Sequence, residues 1–140
     1  MQTVSVSDDE VIFDGSTLIS ETDILGTITY VNKKFCEVMG YSKDELVGQP
    51  HNIIRHPDMP RLAFQEMWNR IGQGKRWSGY LKNLHKDGKF SWVLADIISK
   101  YDESGKRTGY IATRRVPGEN LTEIKKQYKK FKEFELSLKP

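Results

Sequence analysis

One short stretch of the sequence concentrates the residues that could do chemistry. The segment NIIRHPDMPRLAFQEMW, residues 52–68, places Arg55, His56 and Asp58 among prolines and then continues into an aromatic helical pattern. An arginine, a histidine and a carboxylate can take part in catalysis, bind a metal or line a ligand pocket. Residues this close in sequence cannot each orient the next across an active site, which disfavours a catalytic relay.

An enzyme site, a metal site and a purely structural role are the three interpretations of this segment to compare. The sequence has no Gly-rich phosphate loop, serine elbow or HExxH motif, so we expect no enzyme and no catalytic residue. A metal could use His51, His56 and Asp58, but one loop with prolines rarely wraps a cation, and we expect no metal site. A structural alternative has Arg55 and Asp58 pairing, or Asp58 capping the helix that starts near Pro60.

Two tryptophans and one asparagine add candidates for a binding site. Trp68 and Trp77 flank the connection between a helical pattern and the strand after it, and ordinary core packing is the alternative for both. Asn83 lies inside a strand pattern, where asparagine is disfavoured. If Asn83 is buried, its amide needs partners, and it offers a donor and an acceptor to the edge of a heterocycle.

Composition and charge place bounds on the function. The chain has 140 residues, 37% of them hydrophobic, which fits one domain with extensions. A formal net charge of +3, with acids and bases interspersed, argues against a nucleic-acid partner. No apolar run approaches the roughly 18 residues of a membrane span, so we expect no direct insertion. The single Cys36 favours a reducing, cytoplasmic setting, or the cytosolic sensor part of a membrane-attached receptor.

The hydrophobic pattern predicts the elements that must position these residues. Turn and capping residues at 23–26, 32 and 42–45 predict a hairpin followed by two short helices. A longer helix begins near Pro60, and three strands occupy 77–116. This order predicts an α+β fold with a five-stranded antiparallel sheet and short helices over one face. The space between sheet and helices suits a small molecule.

The two ends of the chain differ from this core. Residues 1–16 form a loose lead-in, 17–116 the domain and 117–140 a helical extension. The extension carries apolar residues at three-four spacing, interrupted at Glu135, and so predicts an amphipathic C-terminal helix. Those residues are Leu121, Ile124, Tyr128, Phe131 and Leu138. Packing on its own domain and a dimerising or signal-transmitting role are equal alternatives for this helix.

The order of elements and the motifs resemble a PAS domain. ITYVNKKFCEVMGYSKDELVGQ (28–49) resembles the opening of that family, and WSGYLKNLHKDGKFSWVLADIIS and GKRTGYIATRRV resemble its closing strands. NIIRHPDMPRLAFQEMW followed by G-x-x-W-S-G-x-x-K-N more narrowly resembles the PAS domain of bacterial aerotaxis receptors and related energy-taxis sensors. The W-S-G…N-x-x-K-D portion is similar to a flavin-binding redox sensor of nitrogen-fixation control.

The resemblance implies redox or oxygen sensing through a non-covalently bound FAD. Carried over by position, the implied cofactor-binding residues are Arg55, His56, Asp58, Trp68, Trp77 and Asn83. The two tryptophans would wall the flavin ring and the asparagine would bind its polar edge. Loop 49–59 lacks the cysteine with which photosensory relatives form a flavin adduct, so we expect no adduct chemistry.

The resemblance also implies partners and alternatives. A chemoreceptor signalling module, on the same chain or on a separate protein, would receive the signal, and we expect a homodimer through the flanking helices. One alternative is a haem-binding gas sensor. Another is a ligand-free PAS module for dimerisation or interaction.

Overall fold

Five strands form one antiparallel sheet within residues 4–118 and 120–138, which the computed structural model describes. Their spatial order is β2-β1-β5-β4-β3, so the chain's last strand lies at the centre. The strands are β1 (Leu18–Asp23), β2 (Ile28–Val31), β3 (Trp77–Leu84), β4 (Phe90–Tyr101) and β5 (Arg107–Arg115). The α+β fold predicted from the sequence is confirmed.

The helices lie between β2 and β3 and after β5. They are α1 (Lys33–Met39), α2 (Lys43–Leu46), a 3-10 turn at His51–Ile54, α3 (Arg61–Gly72) and α4 (Leu121–Ser137). We call the sheet face that packs against α1 to α3 the inner face; it carries Leu81 and Val93, which pair across β3 and β4. Trp92 alternates with Val93 and therefore lies on the outer face, where Tyr128 of α4 stacks on it. None of these helices is both long and apolar enough to cross a membrane.

Local capping signals explain where the first two helices begin. The Asn32 side chain accepts a hydrogen bond from the Phe35 amide at 3.0 Å, and α1 ends at Gly40, whose φ of 82° suits glycine. Ser42 and Glu45 form the predicted capping box of α2, with bonds in both directions. These elements therefore follow from residues close together in sequence.

The N-terminal segment extends the sheet beside β4. The Val11 amide donates to the Phe90 carbonyl at 2.7 Å, and the Phe90 amide donates to the Asp9 carbonyl at 3.1 Å. The segment also crosses the β3–β4 turn, where a Cβ at Gly88 would lie 1.9 Å from the Ser5 carbonyl oxygen. Gly88 also has a φ of 90°, so only glycine fits there.

Two hydrophobic clusters fill the space between the sheet and its helices. One joins α1 and α2 to β1 and β2, through residues such as Phe35, Met39 and Leu46. The other joins α3 to β3, β4 and β5, through residues such as Met67 and Ile71. Because the two clusters cover different ends of the inner face, a space remains between them.

Asn32 holds α1 to the sheet as well as capping it, and this generates a stability prediction. Its carbonyl oxygen also accepts from the Ile19 amide at 3.1 Å, and its amide donates to the Thr17 carbonyl at 3.0 Å. We expect Asn32→Ala to lower the free energy of unfolding by about 2 kcal/mol, measured by urea denaturation. The control Asn69→Ala, on the exposed side of α3, should stay within about 0.5 kcal/mol of wild type. Equal losses in both variants would contradict this role for Asn32.

Candidate functional site

A cavity of about 340 Å³ lies between the inner face of the sheet and the helices. This volume is at the lower end of the range for small-molecule sites. Its apolar lining comes from Leu25, Gly26, Pro50, Ile54, Phe64, Met67, Trp68, Ile71, Leu81, Ile97, Tyr110 and Ala112. Its polar lining comes from Ser20, Thr22, His51, Asn52, Arg55, Asn83 and Arg114. Apolar walls with a few convergent polar groups suit a flat ring that carries a polar edge.

The helical wall of the cavity comes from one face of α3. Phe64, Met67, Trp68 and Ile71 line it, at the three-four spacing typical of one face of a helix. The Trp68 ring meets the Tyr110 ring edge-on, with centroids 5.9 Å apart. Trp68 is 39% exposed, which places it where the cavity opens to solvent.

Asn83 contributes an amide to the sheet side of the cavity. It lies on β3, is 3% exposed and faces inward with Leu81. Its Oδ1 atom is buried and finds no hydrogen-bond partner within the described part of the chain. A buried, unpaired amide oxygen in a cavity wall is available to a donor on a ligand.

Arg114 places a buried positive charge in the same cavity. It lies on β5 and is 1% exposed, and none of the described Asp or Glu residues forms an ion pair with it. Its Nη1 donates to Ser20 Oγ at 3.0 Å and its Nη2 donates to His51 Nε2 at 2.8 Å. The guanidinium also lies 5.2 Å from the centroid of the Phe35 ring. Burial lowers the pKa of Arg114 to about 10, so the side chain remains a cation at neutral pH.

His51 is held neutral by this arrangement. Because Arg114 can only donate, His51 Nε2 must accept, and the ring's proton is therefore on Nδ1. Burial, and then the Arg114 charge, lower the pKa of His51 to about 3. Ser20 Oγ lies 3.1 Å from the same His51 nitrogen. The three side chains form a cluster with a net positive charge, which we call the Arg114 cluster.

Three buried polar atoms in the cavity wall have no partner among the residues that the structure describes. They are Thr22 Oγ1, Asn83 Oδ1 and Arg114 Nε. Leaving a buried polar group unpaired is unfavourable by roughly 1–3 kcal/mol. Three such groups around one cavity indicate a site built for a ligand that carries both donors and acceptors.

Half of the residues implied by the resemblance line this cavity. Arg55, Trp68 and Asn83 do so. The Arg55 guanidinium lies 4.0 Å from the centroid of the Phe64 ring, a cation–π contact at the cavity wall. These residues come from the loop, from α3 and from β3, so the fold brings together what the sequence separates.

His56, Asp58 and Trp77 lie outside the lining of the cavity. Arg55 pairs with Asn83 along the free edge of β3, and because successive side chains alternate in an extended segment, His56 points to the other side. There the His56 ring meets Phe90 edge-on with centroids 5.5 Å apart. Any role of these three residues toward a cofactor stays a prediction.

Asp58 and Trp77 have clear structural surroundings. Asp58 is exposed and lies 3.4 Å from Lys82 Nζ. It does not cap α3, which begins at Arg61 and receives its cap from Glu135 of α4. Trp77 is buried in the hydrophobic cluster, and its ring is so close to Gly79 that a Cβ there would lie 2.6 Å away.

The Arg114 cluster was not predicted from the sequence. The sequence indicates His51 only as a possible metal ligand, and no motif marks Ser20, Thr22 or Arg114 as site residues. A signal was present, since Tyr110, Ala112 and Arg114 alternate along β5 with two apolar residues setting the inward face. An arginine on that face is a buried cation, and such a residue is a candidate for a site.

Comparison with known proteins identifies relatives of this chain. The family profile described as PAS fold matches residues 28–114. The chain is 44% identical over 117 residues to the aerotaxis receptor of Escherichia coli strain K12, covering 83% of this chain and 23% of that protein. It is 36% identical over 100 residues to the nitrogen fixation regulatory protein of Klebsiella pneumoniae, covering 71% and 20%. The chain thus spans less than a quarter of the length of these curated relatives.

Solved structures show the same fold. A PAS domain of a protein from Colwellia psychrerythraea superposes with a TM-score of 0.61 at 30% identity, covering 72% of this chain and 86% of that one. A light-oxygen-voltage domain studied with a flavin analogue superposes with a TM-score of 0.68, covering 81% and 85%. At 21% identity the second likeness bears on the fold alone.

The neutral state of His51 generates a prediction of pH dependence. The unfolded chain binds a proton at His51 near pH 6.5, whereas the folded chain does so only near pH 3. The free energy of unfolding should therefore fall as the pH is lowered from 6.5 toward 3. His51→Gln keeps an acceptor for Arg114 but does not titrate, so its stability should fall less over this range. Urea denaturation at several pH values checks this, and parallel curves for the two proteins would contradict it.

Proposed function

This chain belongs to the PAS family, and we propose that its cavity binds FAD non-covalently and reads the redox or oxygen state of the cell. Similarity to the aerotaxis receptor and to the nitrogen fixation regulator supports a sensing role. The proposed role is sensing rather than catalysis, as a cytoplasmic part of an energy-taxis pathway.

The observation that carries the proposal is the buried, unpaired polar edge of the cavity. A flavin ring has flat apolar faces and an edge that alternates carbonyl oxygens with an N–H group. Asn83 Oδ1 can accept from that N–H, while the Arg114 Nε–H can donate to an oxygen. The residues present therefore fit a flavin ring.

The Arg114 cluster gives the site its sensitivity to redox state. A bound flavin would supply the ability to take up electrons, with the negative charge that they add. Arg114 stabilises that charge, because a buried cation acts in a medium of low dielectric. His51 stays neutral and so adds no second positive charge.

The size of the cavity sets how a dinucleotide would lie. A volume of about 340 Å³ suits the ring system and not the whole of FAD, so the remainder would have to extend through the opening beside Trp68. Arg55 lines the cavity from the loop side, with a charge suited to a phosphate. Both residues belong to the set implied by the resemblance.

We propose Asn83 as the first residue to respond. If the ring edge exchanged a donor for an acceptor, the Asn83 amide could respond by exchanging the positions of its oxygen and nitrogen. Asn83 pairs with Ser91 of β4 and with Arg55, so a change in Asn83 reaches both the sheet and the loop. The receiver would be a chemoreceptor-type signalling module, on this chain or on another.

We also propose that two copies associate through α4. Leu121, Ile124 and Tyr128 pack against their own domain, which confirms the packing alternative for the first half of the helix. Phe131, Phe134 and Leu138 are at least half exposed at three-four spacing on its second half. Exposed apolar surface is unfavourable by about 25 cal/mol per Å², and covering it with the same surface of a second copy removes this penalty.

Purified protein should be yellow and should release FAD on denaturation. Asn83→Ala should raise the dissociation constant for FAD roughly 5- to 150-fold, because a buried ring donor loses its partner. The exposed control Asn69→Ala should bind as wild type does, and absorbance titration measures all three proteins. Unchanged retention in Asn83→Ala would remove this residue from the site. A colourless protein that cannot be reconstituted would favour a ligand-free module, and a haem absorption band would favour a gas sensor.

Sedimentation velocity tests the dimer. Wild type should sediment as a dimer at tens of micromolar, whereas Phe131→Ser/Phe134→Ser should be a monomer because it lacks the apolar surface of α4. Ile98→Ser, which removes an exposed apolar residue from the sheet, is the control and should remain dimeric. A monomeric wild type would contradict the proposal.

A further inference from the structure

The far end of α4 is attached to the beginning of α3. The Glu135 carboxylate accepts from the Arg61 amide at 2.9 Å and from the Leu62 amide at 2.7 Å. We call these two bonds the Glu135 cap. They join residues more than 70 positions apart, so they form only when α4 is docked on the domain.

The cap fills a role that α3 cannot fill itself. Pro60 precedes the helix and offers no side-chain oxygen, and the first turn of α3 contains no acidic residue. The amides at a helix start favour an acceptor with negative charge. Burial alone would raise the pKa of Glu135, but the two amides and the nearby Lys132 and Arg61 charges hold it below its usual range. The cap therefore explains why a carboxylate interrupts the apolar stripe of α4 at position 135.

The cap also lies next to the cavity wall. The helix that it holds carries Phe64, Met67, Trp68 and Ile71 into the cavity. The charge of Glu135 also acts on Arg55. Burial and the Arg61 charge lower the pKa of Arg55, whereas the Glu135 charge raises it. The end of α4 thus contacts α3 and is electrostatically coupled to Arg55. Both α3 and Arg55 border the cavity.

Resting on the function proposed above, we infer that the Glu135 cap couples the cavity to α4. A ligand, or a change in its state, that shifts α3 alters the geometry of the two bonds and so changes how firmly the second half of α4 is docked. Tyr128 remains stacked on Trp92, with ring centroids 5.7 Å apart, and anchors the first half. The part that responds is the half that carries Phe131, Phe134 and Leu138, the surface available to a partner.

A weak attachment such as the Glu135 cap suits the coupling of the cavity to α4. A single cap contributes little beside a core contact, so a small difference in ligand contacts between the two positions of α3 is enough to shift the balance. A fully apolar seam would hold α4 too firmly to respond. Glu135 is therefore a positioning residue for α4 and not a ligand-binding residue.

Amide hydrogen exchange in the full chain tests the inference. In Glu135→Ala, the Arg61 and Leu62 amides and the segment 131–138 should exchange at least about threefold faster than in wild type. Glu133→Ala removes the same charge from an exposed position two residues earlier on α4, and its amides should exchange as those of wild type do. Equal exchange in Glu135→Ala and Glu133→Ala would overturn the cap itself.

Coupling is tested by changing the contents of the cavity in each of these proteins. FAD fills it from solution, Ala112→Phe fills it from the sheet, and Met67→Ala enlarges it from α3. Each change should alter the amide exchange rates of residues 131–138 when Glu135 is present. None of them should alter these rates in Glu135→Ala. An effect of equal size without Glu135, or none with it, would overturn the coupling. Failure to bind FAD would remove the proposed function, while the two substitutions would still decide the coupling.

Discussion

Burying one arginine that pairs with none of the described carboxylates is the constraint around which this domain is arranged. The cation can remain inside only if polar groups and an aromatic face surround it, and these come from β1, from the 3-10 turn and from α1. Ser20, His51 and Phe35 thereby join the central strand to β1, to the 3-10 turn and to α1. The same requirement fixes His51 as a neutral acceptor, and it leaves the Nε atom of the cavity-lining Arg114 without a partner among the residues described.

The segment after the 3-10 turn has two sides with different partners. Pairing along the edge of β3 sends Arg55 into the cavity and His56 to the outer face, next to Phe90. The next helix, α3, also has two different partners. One of its faces lines the cavity, and the amides of its first turn donate to the Glu135 carboxylate. The loop continues into α3 along the chain, and α3 contacts α4 through Glu135. The proposed ligand signal would therefore have a short physical route to the surface.

Much of this was predictable because it depends on neighbours in the chain. The caps at Asn32 and Ser42 and the apolar face of α3 follow from local spacing. For Asn83 the spacing shows only that it shares a face with Leu81, and the structure shows that this face is the inner one. The direction of His56 was not predictable, because it depends on which edge of the sheet the loop joins. Glu135 looked like a defect in an apolar stripe, since its partners lie more than 70 residues away. Arg114 was missed because arginines in strands usually face solvent.

The reduction potential of flavin loaded into the cavity tests the proposed role of Arg114 most directly. If the buried cation stabilises the negative charge gained on reduction, Arg114→Gln should shift the potential to more negative values by tens of millivolts, where roughly 30 mV corresponds to 1.4 kcal/mol for two electrons. Arg115→Gln removes the same charge at the adjacent exposed position and should leave the potential nearly unchanged. An unchanged or more positive potential in a folded, flavin-loaded Arg114→Gln protein would contradict the account.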